Sequence, residues 1–237
     1  MELDLAFRDT RFVVVDKPSG VVVHRGLSND AEDLMRAVRD RVGVRVYPVH
    51  RLDRGTSGAV VMALDVETAR VFGKAFEEGR VEKRYLALTR GHPEDGVIDH
   101  PVPRGEEGPK VPAVTHIKCL ATAGRYALVE AVPLTGRMHQ IRRHLKHVSC
   151  PIIGDVKYGK GEHNRLFRER YGLHRLALHA AELAFDHPYT GERLRFNVPP
   201  TGALRACLEA LGFGVHPALT CGELSRPAPS AGAASTV

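Results

Sequence analysis

Tryptophan is absent from the 237 residues, and aromatic side chains make up only 6% of them. The core must therefore be built from Val, Leu and Ala rather than from large rings. Cysteine is scarce as well: Cys119, Cys150, Cys207 and Cys221 form no C-x-x-C pair. Neither a zinc site nor a disulfide framework is signalled, and scattered thiols fit a cytoplasmic protein. No apolar run approaches the roughly 18 residues needed to span a bilayer. The N-terminus, Met1 to Arg8, lacks a basic region followed by an apolar run, so no signal peptide is read. The 13 histidines include no H-E-x-x-H pattern. His144 and His147 could share a helix face, yet no third ligand lies near them in sequence, so no metal is expected.

What is present is a modest basic excess and ample apolar content. The formal net charge is +6, which makes a polyanion a plausible partner without excluding an ordinary basic protein. Hydrophobic residues at 43% allow a substantial core, and the length suits one large domain or two small ones. Residues 12–15 and 21–23 are β-branched runs around Lys17-Pro18-Ser19-Gly20, which predicts two strands and a turn. A helix is expected over 31–42, from Leu34, Ala37, Val38 and Val42, with Asn29 or Asp30 as N-cap. A buried strand over 59–64, a helix over 66–78 and a strand from Tyr85 follow. Residues 91–114 hold five prolines and read as loop. Strands return at 114–120 and 126–132, then a strongly basic helix over 137–147. A hairpin spans 176–185 and 193–198, where Leu194, Phe196 and Val198 alternate with polar residues. A last helix carries Leu204, Cys207, Leu208 and Leu211. The pattern is α+β: a mixed, largely antiparallel sheet flanked by helices, since strands do not alternate strictly with helices. The domain is read as 1–214, with 215–237 an Ala/Pro/Ser-rich disordered tail.

One stretch concentrates chemistry: His50-Arg51-Leu52-Asp53-Arg54-Gly55-Thr56-Ser57-Gly58. Asp53 sits between two arginines where a loop meets an apolar run. Cationic neighbours favour the charged carboxylate, which can serve as nucleophile or base without a metal. A surface salt bridge or an Asx-turn is the alternative for any single Asp. Gly55 to Ala59 departs from G-x-S-x-G at its last position, which leaves a serine hydrolase on Ser57 as a minor alternative. In the basic helix, Met138, Ile141 and Leu145 form an apolar stripe with Arg142 along its edge, where a buried arginine needs a carboxylate or phosphate. Arg137, His139, Arg143, Lys146 and His147 lie elsewhere on that helix and would suit phosphates. Tyr85, in Lys83-Arg84-Tyr85, is either a core residue or a face for stacking on a nucleobase.

These motifs together resemble the RluA-type pseudouridine synthases. The resemblance covers about residues 8 to 200 and takes in Lys17-Pro18-Ser19-Gly20, His50-Arg51-Leu52-Asp53, Lys83-Arg84-Tyr85, Thr135 to Arg142, Pro151 to Asp155 and Leu178-His179-Ala180. It implies an elongated mixed sheet with a central cleft and an isomerase that converts a uridine of RNA to pseudouridine without a cofactor. Asp53 matches the family's catalytic aspartate, Tyr85 the tyrosine stacked on the target base and Arg142 the arginine paired with the aspartate. Arg51 matches an arginine that can fill the space left by the flipped nucleotide. Arg54, Lys83, Arg84 and the basic helix would then hold phosphates. Tyr47-Pro48-Val49-His50, Arg142 to His147 and His163 to Phe167 are most like bacterial members acting on uridine 65 of transfer RNA. A tRNA substrate and a monomer are thus expected, with ribosomal RNA as the nearest alternative and a non-catalytic RNA-binding protein as another. Whether Asp53 would attack ribose C1′, attack uracil C6 or abstract a sugar proton stays open.

Overall fold

A computed structural model describes residues 3–24 and 33–220. The first half of the chain forms β1 (Leu5–Arg8), β2 (Phe12–Lys17), α1 (Leu34–Val42), β3 (Tyr47–Pro48), β4 (Ser57–Ala63) and α2 (Val66–Glu77). The middle forms β5 (Glu82–Arg90), β6 (Gly96–Asp99), β7 (Val102–Pro103), β8 (Lys110–Val111), β9 (Val114–Ala123) and β10 (Tyr126–Pro133). The last part carries α3 (Gln140–His147), α4 (Gly161–Tyr171), β11 (Leu178–Asp186), β12 (Arg193–Asn197) and α5 (Gly202–Ala210).

Ten strands make one sheet in the order β1-β2-β4-β11-β5-β10-β9-β6, with β3 and β12 attached to β4 and β11. The pairings within it are antiparallel except β4 with β11, where His179 faces Ser57 and Ala180 faces Gly58. The expected mixed, largely antiparallel sheet is thus observed. β11 is central and buried along nearly its whole length, as its apolar sequence requires. Gly58 permits the parallel contact: its φ is 111°, and a Cβ there would lie 2.2 Å from the Ala180 carbonyl oxygen.

The core divides by sheet region. Leu34, Val38 and Val42 of α1 pack on Val13, Val15, Val60 and Met62, together with Leu52. Phe72 of α2 covers the opposite face with Phe12, Phe185 and Phe196. Six of the eight phenylalanines gather in this cluster, with Phe12 and Phe72 5.3 Å apart in edge contact. Leu86, Leu88, Leu128 and Ile152 form the larger core of the second half, closed by Leu145 of α3, Phe167 of α4 and Leu208 of α5.

Several expectations are corrected. Residues 21–23 form no strand; instead the Val22 and Val23 carbonyls accept from the Leu34 and Met35 amides and so cap α1. That helix starts at Leu34, with Asp33 as N-cap accepting from Arg36 N. The proposed caps Asn29 and Asp30 lie outside the described residues. The region read as loop contains β6 and the β7–β8 hairpin. Helix α4 was not anticipated, and α3 begins at Gln140 rather than 137. Residues 215–220, assigned to the tail, carry a 3-10 turn whose Leu219 is buried. Arg205 Nη1 holds the Leu219 carbonyl at 2.7 Å. Residues 221–237 of the expected tail lie outside the described residues.

Candidate active site

Asp53 sits on the loop between β3 and β4, and the sequence fastens that loop from three sides. Leu52 is buried in the α1 cluster and anchors the residue next to Asp53. Thr56 N donates to the Asp53 carbonyl at 3.0 Å and closes the turn. Beneath it, the fully buried Lys17 ammonium donates to the carbonyls of Pro18, Val21 and Arg54 at 3.0, 2.6 and 3.2 Å. Ser19 Oγ adds a bond to the Gly55 carbonyl at 2.7 Å. Burial pushes the Lys17 pKa down to about 7, with Arg175 lowering it further and Asp53 opposing.

Helix α3 supplies the partner. Gln140 fixes its start: its side-chain oxygen accepts from Thr135 Oγ1 and Arg137 N at 2.7 and 3.0 Å, and its amide donates to the Val114 carbonyl. Two residues on, Arg142 donates from Nη1 to Asp53 Oδ2 at 3.0 Å. The rest of the guanidinium is taken by Asp155, with Nε to Oδ2 at 2.7 Å and Nη2 to Oδ1 at 2.9 Å. Asp155 is fully enclosed and also accepts from the Lys157 and Tyr158 amides at 3.0 Å each. Burial alone would raise its pKa, but Arg142 and these amides outweigh it and hold the carboxyl below the usual range. Arg142 is in turn held more basic than usual: burial opposes this, and its two carboxylate partners win. The planar fork meets the two-point geometry that a lysine cannot match.

Asp53 and Arg142 line a cleft of about 550 Å³, together with His50, Lys83, Tyr85 and His139. Burial, then the charge of Asp53, raises the Tyr85 pKa, so the ring stays a neutral phenol. Lys83 is half-buried, and burial lowers its pKa. His50 stacks on Phe76 at 4.6 Å and accepts from Val61 N at 3.0 Å. Burial, then Lys83, takes its pKa down to about 3.

Not every expected phosphate contact reaches the cleft. Arg51 and Arg137 do, both exposed, with Arg137 Nε on the Pro112 carbonyl at 3.2 Å. Arg84 does not. Strand alternation sends it to the face opposite Tyr85, between Glu130 and Glu182 at 3.6 and 3.5 Å. Arg54 lies outside the cleft lining and donates to the Gly20 carbonyl at 3.0 Å. Arg143 is occupied by the Pro103 and Gly105 carbonyls at 2.8 Å each, which ties the β7–β8 hairpin to α3. Lys146 is exposed, with its ammonium 5.8 Å from the Tyr158 ring. His139 faces Asp53, with Nε2 3.8 Å from Oδ1. Sequence reasoning gave no role to Asp155 or Tyr158. Asp155 closes the Pro151 to Asp155 motif of the resemblance without a role of its own there, and Tyr158 has only its place beyond the Gly154 turn as a signal.

Ser57, the candidate hydrolase nucleophile, is buried and absent from the cleft lining. Its Oγ accepts from Arg175 Nη2 at 2.7 Å and contacts His179 Nδ1 at 2.7 Å, while His179 Nε2 meets the Val198 carbonyl at 2.8 Å. This chain fixes a neutral imidazole, and burial lowers its pKa to about 4. The unfolded His179 takes up a proton near pH 6.5, whereas the folded one resists down to about 4. Stability is therefore lost as pH falls through that window, on the order of 3 kcal/mol from this group. Urea unfolding at pH 7 and 4.5 checks this: the difference should shrink in His179→Asn, and an equal difference would refute it.

Among the described residues, no helix is long and apolar enough to cross a membrane, and no three His, Cys, Asp or Glu side chains are grouped to hold a metal ion. Residues 11–147 match the family model described as RNA pseudouridylate synthase. Among curated relatives, the tRNA pseudouridine synthase C of Vibrio parahaemolyticus is 41% identical over 82% of this chain and 89% of its own length. The one from Haemophilus ducreyi is 42% identical over the same shares. Among solved structures, human RNA pseudouridylate synthase domain containing 4 superposes with a TM-score of 0.72 at 28% identity, covering 88% of this chain and 92% of its own.

Proposed function

The chain belongs to the RNA pseudouridylate synthase family, and from that premise we propose that it isomerises uridine 65 of transfer RNA, with Asp53 as the catalytic carboxylate. The enzyme is an isomerase acting on RNA. The tRNA assignment is supported by relatives that carry the name tRNA pseudouridine synthase C. The position is supported by the likeness of Tyr47 to His50, Arg142 to His147 and His163 to Phe167 to members that act on uridine 65.

The reaction breaks the N1–C1′ bond, turns the uracil and joins C5 to C1′. The C5 proton is lost and N1 gains one, so the balance closes with no oxidant or reductant. The protein must evert the nucleotide, at a cost of about a few kcal/mol, and retain the free base while it turns. The observation that carries the reading is the Arg142–Asp53 pair at 3.0 Å in a cleft that Tyr85 also lines. Arg142 occupies Oδ2 and leaves Oδ1 for the nucleotide, in the role of nucleophile or of base on a sugar proton. The neutral Tyr85 ring offers a stacking surface. Arg51, Lys83 and Arg137 offer cationic donors around the cleft mouth. One copy of the chain supplies every group named.

The test is incubation of the purified protein with tRNA carrying 5-tritiated uridine. Tritium release and mass-spectrometric mapping should give one new pseudouridine, at position 65. Modification of ribosomal RNA alone would replace the proposed substrate, and RNA binding without tritium release would refute the activity.

A further inference from the structure

His139 stands at an unusual place. It precedes α3 with φ 56° and ψ 22°, in the left-handed region that side chains other than glycine rarely adopt. Such backbone costs on the order of 1–2 kcal/mol and persists only where its surroundings fix it. Here they do: Gln140 pins the next residue, and Arg143 N holds the His139 carbonyl at 2.9 Å.

The hydrogen bonds around the imidazole favour one tautomer. Arg143 Nε can only donate, and it points at the Tyr158 hydroxyl at 3.0 Å. That oxygen accepts from Arg143, which leaves its own proton available to the next neighbour, His139 Nδ1, at 3.1 Å. With Nδ1 as that proton's acceptor, the ring N–H lies on Nε2, which faces Asp53 Oδ1. Arg143 is fixed by two carbonyls, and Tyr158 by its amide on Asp155. The same enclosed carboxylate therefore anchors both Arg142 and the loop that orients His139.

We propose that the Arg143–Tyr158 relay locks His139 as its Nε2–H tautomer, and that this N–H positions Oδ1 of Asp53 for the target nucleotide. His139 then belongs to the reacting centre rather than to the phosphate contacts that its sequence position suggested. At 3.8 Å the donor lies beyond hydrogen-bond reach of Oδ1, and the inferred role has the contact shorten in the RNA complex, where catalytic hydrogen bonds commonly tighten. The two oxygens of Asp53 thereby acquire separate partners: Arg142 on Oδ2 and His139 on Oδ1.

This inference rests on Asp53 being the catalytic carboxylate. Tyr158→Phe removes the hydroxyl alone and keeps the ring among its cations. Its kcat should fall roughly tenfold, while KM for tRNA stays within about twofold, because positioning and not binding is lost. His139→Asn suits the left-handed backbone but is too short to present a donor, and it should lose at least as much kcat. His139→Gln can place an amide N–H near Nε2 and should recover part of it. Thermal melts identify any variant that fails to fold, and if Tyr158→Phe fails, the His139→Asn and His139→Gln pair carries the test. Unchanged kcat in folded Tyr158→Phe or His139→Asn overturns the inference. A loss confined to KM also overturns it and returns His139 to RNA binding. Asp53→Asn runs alongside: full turnover there would sink the underlying reading, whereas an inactive Asp53→Asn beside fully active Tyr158→Phe and His139→Asn would sink the tautomer lock alone.

Discussion

Asp53→Asn should lose tritium release from labelled tRNA by roughly 10³-fold or more, the scale on which a nucleophile or base is missed. Asparagine keeps the shape, so Arg142 Nη1 still finds an oxygen acceptor and the loop keeps Leu52, Thr56 and Lys17 as its anchors. What disappears is the negative charge of the carboxylate. RNA affinity should stay within about threefold, because Arg51, Lys83 and Arg137 around the cleft are untouched and phosphate contacts dominate affinity. Filter binding and tritium release on one preparation separate the two quantities. Turnover near that of the parent protein would remove Asp53 from the chemistry.

Arg142→Ala should have the second largest effect, and on two properties at once. Asp155 would be left fully enclosed with two backbone amides but no cation, a situation that costs about 3–5 kcal/mol of stability. Asp53 would lose the donor on Oδ2, and turnover of the folded fraction should fall on the order of 10²-fold, far more than RNA affinity. Arg142→Lys tells charge from shape. One ammonium cannot bridge Asp53 and both oxygens of Asp155, so it should restore part of the stability and little of the turnover. Urea unfolding and single-turnover kinetics give both readings. Equal losses of affinity and turnover in Arg142→Ala would make Arg142 a phosphate contact.

The parts of the fold that follow a clear period were legible. β12 alternates Leu194 and Phe196 with arginines, and α2 repeats Ala69, Phe72 and Phe76 along one side, so both lie close to where expected. Helix α4 was not, because Asn164 and Phe167 are its only buried residues and its apolar stripe is too narrow to reveal a helical repeat. β6 to β8 are short and broken by proline, which hides them in any window. At the site, Asp53, Arg142 and Tyr85 stand out by residue type and neighbours, while their roles come from the family resemblance. Asp155 does not stand out, since its pairing with Arg142 depends on a chain reversal that brings residues 13 apart together. Arg84 was grouped with Lys83 and Tyr85 although neighbours on a strand must face opposite ways, an error that the two-residue period itself could have prevented.

The position of β11 bears on how the molecule is made. The strand lies in the middle of the sheet yet is translated after nearly every other strand. Until residue 178 has left the ribosome, β4 and β5 each present an unfilled edge, and the two halves of the protein have no seam between them. A chain truncated before that point therefore exposes two apolar borders of the kind that recruit foreign strands. Closing the seam joins segments 122 residues apart, Ser57 with His179, and such distant pairings make assembly slow. Biogenesis thus adds its central stitch late, and a nascent polypeptide can close the cleft around Asp53 only when synthesis is about three-quarters done.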